Sequence, residues 1–147
     1  MADKADETQK IDEELLRYLA RVLASLDEVN TTSLFPANKQ ETLLIHLNVD
    51  YYPDAVDDVR LELRVYTNGT FHVSYIETYV GEIQRCRWDR HEQNHNTRDH
   101  FHPFPAAGTS DAEDRNFPAD VTALFEAVVL PWVETRLGTI WAEHDEA

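Results

Sequence analysis

The sequence predicts an α+β domain in which a four-stranded antiparallel sheet is packed by an N-terminal and a C-terminal helix. Near both ends of the chain, apolar residues recur every three or four positions, which is typical of amphipathic helices. Between these stretches apolar and polar residues alternate, which is typical of half-buried strands. The dipeptide Asn68-Gly69 is a turn signal between two such strands. With 147 residues, we expect a single domain over 1–147 with a buried core.

The N-terminal part is predicted to be helical after a short tail. Residues 1–8 show no periodicity and are expected to be a flexible tail. A helix is predicted over about 8–29, and Asp6 with Gln9 fits a capping box at its start. Residues 30–40 are polar and are predicted to be a connection. The apolar stripe of the helix consists of Ile11, Leu15, Tyr18, Leu19, Val22, Leu23, Leu26 and Val29.

Four strands are predicted after this connection, because β-forming residues cluster in four short runs separated by turn signals. The second run alternates most regularly, so one face of that strand should be buried and the other exposed. The predicted strands cover residues 41–52, 58–66, 70–80 and 82–88.

The length of the loop between the second and third strands is predicted from the strand pairing that each possible length would produce. A two-residue turn would pair Val65 with His72 and would place the apolar residues of the two strands on opposite faces. A three-residue loop over 67–69, with Gly69 in the left-handed conformation of a bulge, places them on one face, so we predict this loop. The predicted pairs are Val65 with Phe71, Leu63 with Val73, Leu61 with Tyr75, and Val59 with Glu77.

The last helix is predicted to open at Phe117-Pro118-Ala119-Asp120, since proline is tolerated in the first helical turn. Pro131 lies inside the periodic pattern, so we expect a kink or a restart there. Trp132 and Trp141 are interpreted as core residues. The helical stripe contains Val121, Leu124, Phe125, Val128, Trp132, Val133, Leu137, Ile140 and Trp141.

A long His-rich and acidic loop is predicted over 89–117, between the fourth strand and the last helix. The stretch 86–105 carries four of the seven histidines, namely His91, His95, His100 and His102. Imidazole exchanges protons near neutral pH and is the commonest metal ligand, so this stretch is interpreted as the functional part of the chain. A solvated loop and a structural or adventitious metal site remain alternatives.

The charge of the chain bears on its solvent and its partners. The formal net charge is −15, with 28 acidic and 13 basic residues spread along the sequence, which favours a halophilic protein that stays soluble at high salt. At molar salt the Debye length is about 3 Å, so acidity does not exclude an RNA substrate. A single cysteine excludes an internal disulfide, and no apolar run approaches a membrane span. We expect a soluble cytoplasmic protein with no membrane association.

The same residue types suit cleavage of RNA without a metal or other cofactor. The reaction needs a base for the 2′-hydroxyl, an acid for the leaving 5′-oxygen and a cation for the phosphorane. Asp89 would orient one imidazole and Arg87 would bind the phosphate, although an ordinary ion pair between these two residues is the alternative. The candidate acid and base are His91, His100 and His102. The alternative metal site would use His91, His95, His100 and His102.

These residues also form a motif that resembles a known family. Arg87-Trp88-Asp89 ends a predicted strand, His91 follows, and His100-x-His102 precedes a proline and the C-terminal helix. This order is similar to the TumE-type toxins of prokaryotic toxin-antitoxin pairs over roughly residues 58–135. The resemblance implies the site residues Arg87, Asp89, His91, His100 and His102, whereas His95 has no counterpart.

The resemblance further implies a small cytoplasmic toxin that acts on RNA or translation and is neutralised by a helix-turn-helix antitoxin. The acidic charge of this chain and its longer N-terminal helix depart from a typical basic ribonuclease toxin. We therefore carry three hypotheses: a metal-independent ribonuclease toxin that inhibits translation, a non-enzymatic metal- or ligand-binding domain that uses the same histidines, and a structural partner in a complex. The sequence does not predict an oligomeric state.

Overall fold

The α+β class is confirmed by the computed structural model, which describes residues 10–92 and 99–146. Within these residues the antiparallel sheet has seven strands, whose spatial order follows the chain, so the prediction of four strands is wrong. The strands are β1 (Val29–Phe35), β2 (Thr42–Leu47), β3 (Val56–Val65), β4 (Phe71–Tyr79), β5 (Glu82–Arg90), β6 (Asp99–His102) and β7 (Glu113–Arg115).

The N-terminal helix α1 (Glu13–Ala24) is shorter than predicted. The side chain of Asp12 caps its start by accepting a hydrogen bond from the backbone N–H of Leu15 at 3.2 Å. The backbone N–H of Ser25 bonds the last helical carbonyls, and Val29 already begins β1. The prediction that the helix continues to residue 29 is therefore wrong. The tail 1–8 and the capping pair Asp6 and Gln9 lie outside the described residues.

Three strands occur where none was predicted. β1 lies in the predicted connection, and β6 and β7 lie within the predicted loop over 89–117. β1 is an edge strand with a largely exposed pattern, and β7 is exposed throughout, so neither shows a regular apolar alternation. In the first part of the sheet, β2 ends earlier than predicted, because a 3₁₀ turn follows at Val49–Tyr51.

The hairpin between β3 and β4 confirms the predicted loop. Val65 pairs with Phe71, and Val59 pairs with Glu77 at the other end of the hairpin. Gly69 has a φ of +90°, and its N–H donates to the carbonyl of Tyr66 at 2.9 Å. The left-handed residue in this loop is thus the predicted glycine.

The C-terminal helical region has three consecutive parts, which are α2 (Val121–Leu124), a π-helical segment (Phe125–Val129) and α3 (Leu130–Glu146). The side chain of Asp120 caps the first of them. Pro131 is the second residue of α3, so its missing N–H and its ring fall against the widened π-helical segment. This irregularity confirms the predicted kink or restart.

Both helical regions pack on one face of the sheet, where the buried apolar side chains form one cluster. Trp132 belongs to this packing, because its ring contacts Tyr75 and Trp88 at 4.8 and 5.6 Å between centroids. Trp141 does not, since it is 39% exposed and its indole N–H donates to the backbone carbonyl of Tyr51, so its assignment to the core is wrong. Within the described residues, no helix is long and apolar enough to cross a bilayer.

Candidate active site on the open face of the sheet

The candidate site lies on the sheet face opposite the helices, where cross-strand pairing places polar side chains side by side. We define two rows of residues across this face. The first row contains Arg64, His72, Asp89, His100 and Asp114, one from each of β3 to β7. The second row contains Glu62, Ser74, Arg87 and His102, one from each of β3 to β6.

Asp89 is the centre of the site. The residue is 0% exposed, yet its carboxylate contacts three cationic or imidazole groups. His72 Nδ1 lies 2.9 Å from Oδ1, Arg87 Nε donates to Oδ2 at 2.8 Å, and His102 Nε2 lies 3.0 Å from Oδ2. Burial opposes ionisation of Asp89, but the hydrogen bonds and charges of His72 and Arg87 outweigh it, so the pKa of Asp89 is lowered. Asp89 is therefore an ionised, buried carboxylate at neutral pH.

Among the described residues, His72 is the imidazole nearest to Asp89, and it was not among the site residues predicted from the sequence. With Nδ1 donating to Asp89, the other ring nitrogen, Nε2, is directed away from the carboxylate, and the half-buried ring lines a groove. A signal for this pair was present in the sequence. The turn at Val80-Gly81 pairs Tyr79 with Glu82, and the same register places His72 opposite Asp89.

His91 follows β5 directly. Within the cluster of described histidines, which are His72, His91, His100 and His102, it is the most exposed, with 50% of its side chain accessible. Its Nε2 lies 3.9 Å from Asp89 Oδ2, and its ring centroid lies 5.7 Å from that of His72 and 5.4 Å from that of His100. Burial and the neighbouring imidazoles His72, His100 and His102 outweigh the attraction of Asp89, so the pKa of His91 is lowered. His91 is thus neutral at neutral pH.

The two histidines of the His-x-His motif occupy different environments. His102 is only 6% exposed in its side chain, and both of its ring nitrogens have contacts: Nε2 with Asp89 and Nδ1 with the carbonyl of Gly108 at 3.3 Å. His100 is partly exposed, and its Nδ1 lies 3.2 Å from the exposed carboxylate of Asp114. His102 therefore packs within the site, whereas His100 flanks it.

A buried ion pair on the other face of the sheet holds β5 against β6. Arg90 donates through Nε and Nη2 to the two carboxylate oxygens of Asp99, at 2.7 and 2.8 Å. The same guanidinium donates to the backbone carbonyls of Phe117 and Ala119, just before α2. This bidentate pair aligns the ends of β5 and β6, from which Asp89, His91 and His100 project.

A groove of about 420 Å³ opens over the centre of these rows. Of the predicted site residues, Arg87, Asp89 and His91 line it, and His100 and His102 lie beside it. His95 lies outside the described residues. Across 10–92 and 99–146, no three His, Cys, Asp or Glu side chains are arranged to hold a metal ion. The groove is lined by Thr42, Glu62, Arg64, His72, Ser74, Arg87, Asp89 and His91.

The family model described as Toxin TumE matches residues 16–137. The chain belongs to the TumE toxin family. The matched region of this TumE-family toxin contains every residue that lines the groove, together with His100 and His102. The resemblance predicted from the Arg-Trp-Asp and His-x-His motifs is thereby confirmed. No significant match to a curated protein or to a solved structure was found.

Proposed function

We propose that this TumE-family toxin is a metal-independent endoribonuclease that inhibits translation by cleaving RNA. The observation that carries the proposal is the contact of buried Asp89 with His72 and Arg87 at the wall of an open groove. The carboxylate fixes the orientation of an imidazole and of a guanidinium, which are the two group types that this reaction needs.

His91 is the proposed general base. Its pKa is lowered, so the ring is neutral near neutral pH and accepts the proton of the 2′-hydroxyl. The 2′-oxygen then forms a bond to the adjacent phosphorus, and the bond from phosphorus to the 5′-oxygen of the next nucleotide breaks. The products are a 2′,3′-cyclic phosphate and a 5′-hydroxyl.

His72 is the proposed general acid, which donates its proton to the leaving 5′-oxygen. The ionised Asp89 holds the Nδ1 side of this ring, so Nε2 delivers the proton into the groove. The rings of His72 and His91 are 5.7 Å apart, which lets both reach the same phosphodiester. General acid and base catalysis of this kind contributes about 10²–10⁴-fold to a rate.

Arg87 is the proposed phosphate ligand. Its Nε donates to Asp89, its Nη2 lies 3.3 Å from His102 Nε2, and the half-buried side chain lines the groove. A guanidinium that is already fixed in position stabilises the extra negative charge of the phosphorane without reorganising. Asp89 and His102 are positioning residues in this scheme, and His100 flanks the base. The proposal thus moves the acid role from His100 or His102 to His72.

The proposed partner is a helix-turn-helix antitoxin that neutralises the toxin, and the proposed location is the cytoplasm of a cell with a high internal salt concentration. An antitoxin that covers the groove would block access of RNA to His72 and His91. The acidic surface fits a high-salt cytoplasm, in which the repulsion between the protein and RNA is screened over about 3 Å.

The experiment compares cleavage of single-stranded RNA by the wild-type protein and by the variants His72→Ala, His91→Ala and Arg87→Ala, in molar salt with a chelator. We expect each variant to remain folded and to lose about 10²-fold or more in rate, and we expect His91→Ala also to keep the wild-type melting temperature. A substrate with 2′-deoxyribose at the cleaved position should resist cleavage, because it lacks the nucleophile.

His46→Ala is the matched control. His46 lies on β2, on the same sheet face, and also faces a carboxylate, with Nδ1 3.9 Å from Asp58, but it is not among the residues that line the groove. Its variant should cleave RNA at the wild-type rate. Absence of cleavage by the wild type, or activity that a chelator abolishes and one added metal restores, would refute the metal-independent mechanism in favour of a binding or metal site.

A further inference from the structure

We propose that the open face of β1 to β3 binds the nucleotides next to the cleaved bond, with Arg64 on a phosphate and Phe35 stacked on a base. This inference rests on the proposed function and specifies its substrate as single-stranded RNA. The two residues were not selected from the sequence, and both lie outside the cluster of histidines.

The register of the sheet places these residues in line with the site. Arg64 pairs with His72 across β3 and β4, and its Nε donates to Thr42 Oγ1 at 3.0 Å. Thr42 in turn pairs with Phe35 across β2 and β1. The first row therefore continues from the proposed acid to the edge of the sheet, over three strand spacings or about 14 Å, which is the length of a few nucleotides.

A second groove, of about 360 Å³, covers this part of the face. It is lined by Phe35, Thr42, Leu44, Arg60, Glu62 and Arg64. Three of these residues, Thr42, Glu62 and Arg64, also line the groove over the site, so the two grooves adjoin on the same open face of the sheet. A strand of RNA that enters the site from this side crosses both grooves.

The two arginines of the second groove differ in how far their charge is neutralised. Arg60 donates to Asp58 and Glu62 at 2.7 Å each, which occupies two of its nitrogens with carboxylates. Arg64 bonds a neutral hydroxyl, and its ion pair with Glu41 is loose, at 3.9 Å. The half-exposed Arg64 therefore retains donors and positive charge for a phosphate.

Phe35 supplies an aromatic surface at the end of the second groove. It is 59% exposed on an edge strand, although burial of its ring would be favourable. An exposed ring close to an arginine that can bind phosphate is an arrangement by which proteins bind single-stranded nucleic acids, since every base has a face that stacks. The combination of Phe35, Arg64 and adjacency to the site favours RNA over a protein as the occupant.

The experiment uses the full-length protein and measures fluorescence anisotropy of a labelled single-stranded octanucleotide with 2′-deoxyribose at every position, which cannot be cleaved. Phe35→Ala and Arg64→Gln should each weaken binding about tenfold. Arg64→Gln should also make the dependence of log K on log salt shallower by about 0.7, because one phosphate contact is lost, whereas Phe35→Ala should leave this slope unchanged.

The matched controls are Ile83→Ala and Arg85→Gln. Both residues are exposed on β5, and neither is among the residues lining the two grooves, so the variants should bind the octanucleotide as the wild type does. In cleavage assays, the loss of kcat/KM in Phe35→Ala and Arg64→Gln should be larger for an RNA octamer than for a dinucleotide, because only the octamer reaches β1.

The outcomes separate this inference from the proposed function. Wild-type binding and octamer cleavage in both variants would overturn the inference and leave the ribonuclease proposal intact. Equal losses on the dinucleotide and the octamer would also overturn it, as would variants that bind RNA normally but lose affinity for a protein antitoxin. If the wild type cleaves no RNA but binds the octanucleotide in a Phe35-dependent way, the surface stands and the ribonuclease proposal fails.

Discussion

His72 and Asp89 face each other across β4 and β5, with Nδ1 of the imidazole 2.9 Å from Oδ1 of the carboxylate. The two residues are 17 positions apart in the chain, and only the turn between the strands brings them together. The buried carboxylate fixes which ring nitrogen faces the groove, so the register of one hairpin determines which histidine can act on a substrate.

The first prediction concerns the charge of Asp89. Asp89→Asn keeps the shape of the side chain but removes the negative charge that accepts from Arg87 and the two histidines. At pH 7 we expect a loss of about 1–3 kcal/mol in the free energy of unfolding, because buried donors lose a charged acceptor. RNA cleavage should fall by at least 10²-fold, since the acid and the phosphate ligand are no longer held. Chemical denaturation and a cleavage assay measure the two effects.

The pH dependence of this loss follows from the lowered pKa of Asp89. A carboxyl group with a lowered folded pKa contributes stability above its unfolded pKa of about 3.9, and this contribution is lost as the pH falls through the folded value. The stability gap between wild type and Asp89→Asn should therefore narrow below about pH 4. Asp114→Asn is the control. Asp114 is an exposed carboxylate that pairs with His100, so its substitution should change the free energy of unfolding little at any pH. A gap that widens in acid would contradict the assignment.

The second prediction concerns a buried ion pair on the helix side of the sheet. Glu77 on β4 is fully buried and receives Nε and Nη2 of Arg136 from α3, at 3.1 and 2.7 Å. Arg136→Met should cost about 3 kcal/mol or more, because it leaves the buried Glu77 carboxylate with the Tyr75 hydroxyl as a donor but without a cation. The double variant Glu77→Leu, Arg136→Met should regain most of this loss, since both charges are then removed. Thermal and chemical unfolding of the three proteins measure the effect.

The Glu77–Arg136 ion pair lies on the sheet face opposite the groove. The double variant therefore also tests whether RNA cleavage is independent of the helix-packed face. The double variant should cleave RNA at nearly the wild-type rate once it is folded. If the double variant is less stable than Arg136→Met alone, the cost of the single substitution arises from lost packing of the Arg136 stem and not from the unpaired Glu77.

The sequence predicted well those features that repeat locally. The pairing of Val65 with Phe71 followed from the alternation of apolar residues and from one glycine, because a shift by one residue would have exposed the whole apolar set. The Arg87, Asp89 and His91 motif was visible because chemistry-bearing residues lie close together in the chain. The family resemblance rested on the same short motif.

The features that were missed depend on pairing between distant segments. Val29 fits the stripe of α1 by its spacing, but in the structure it opens β1, because the helical region ends at Ser25. β6 and β7 are short and mostly polar, so β6 forms through pairing with β5 and β7 through pairing with β6, and neither shows an apolar period. His72 was missed because its proposed role depends on its contact with Asp89, which lies on the neighbouring strand.

The third prediction uses two glycines in opposite ways. Gly69→Val should destabilise the protein by about 1 kcal/mol or more, because the φ of +90° is unfavourable for a β-branched residue. Gly138→Ala should stabilise it by about 0.5–1 kcal/mol, because Gly138 lies within α3 and an added Cβ meets no atom within 4 Å. Denaturation midpoints measure both effects. If both variants are destabilised, or both are stabilised, the explanation given for one of the two glycines is wrong.

The last prediction concerns the proton on His91. Burial and the neighbouring imidazoles lower its pKa, while Asp89 raises it, so the NMR titration midpoint of His91 should lie below the ordinary value of about 6.5. His100→Gln removes one neighbouring imidazole and should move the midpoint up, but only in part, since burial is the largest cause. Asp89→Asn removes the carboxylate and should move the midpoint further down.

The titration of His91 also determines the pH profile of RNA cleavage. The proposed base must be neutral, so the acid limb of the rate should follow the His91 midpoint and move to higher pH in His100→Gln. Because the folded pKa is lowered, His91 contributes stability above its unfolded pKa of about 6.5 and loses it as the pH falls through the folded value. His144→Gln, near the C-terminus, is the control and should leave midpoint and profile unchanged. If the acid limb stays in place while the His91 midpoint moves, then His91 is not the base, and the neutral imidazole that the reaction needs is another member of the cluster.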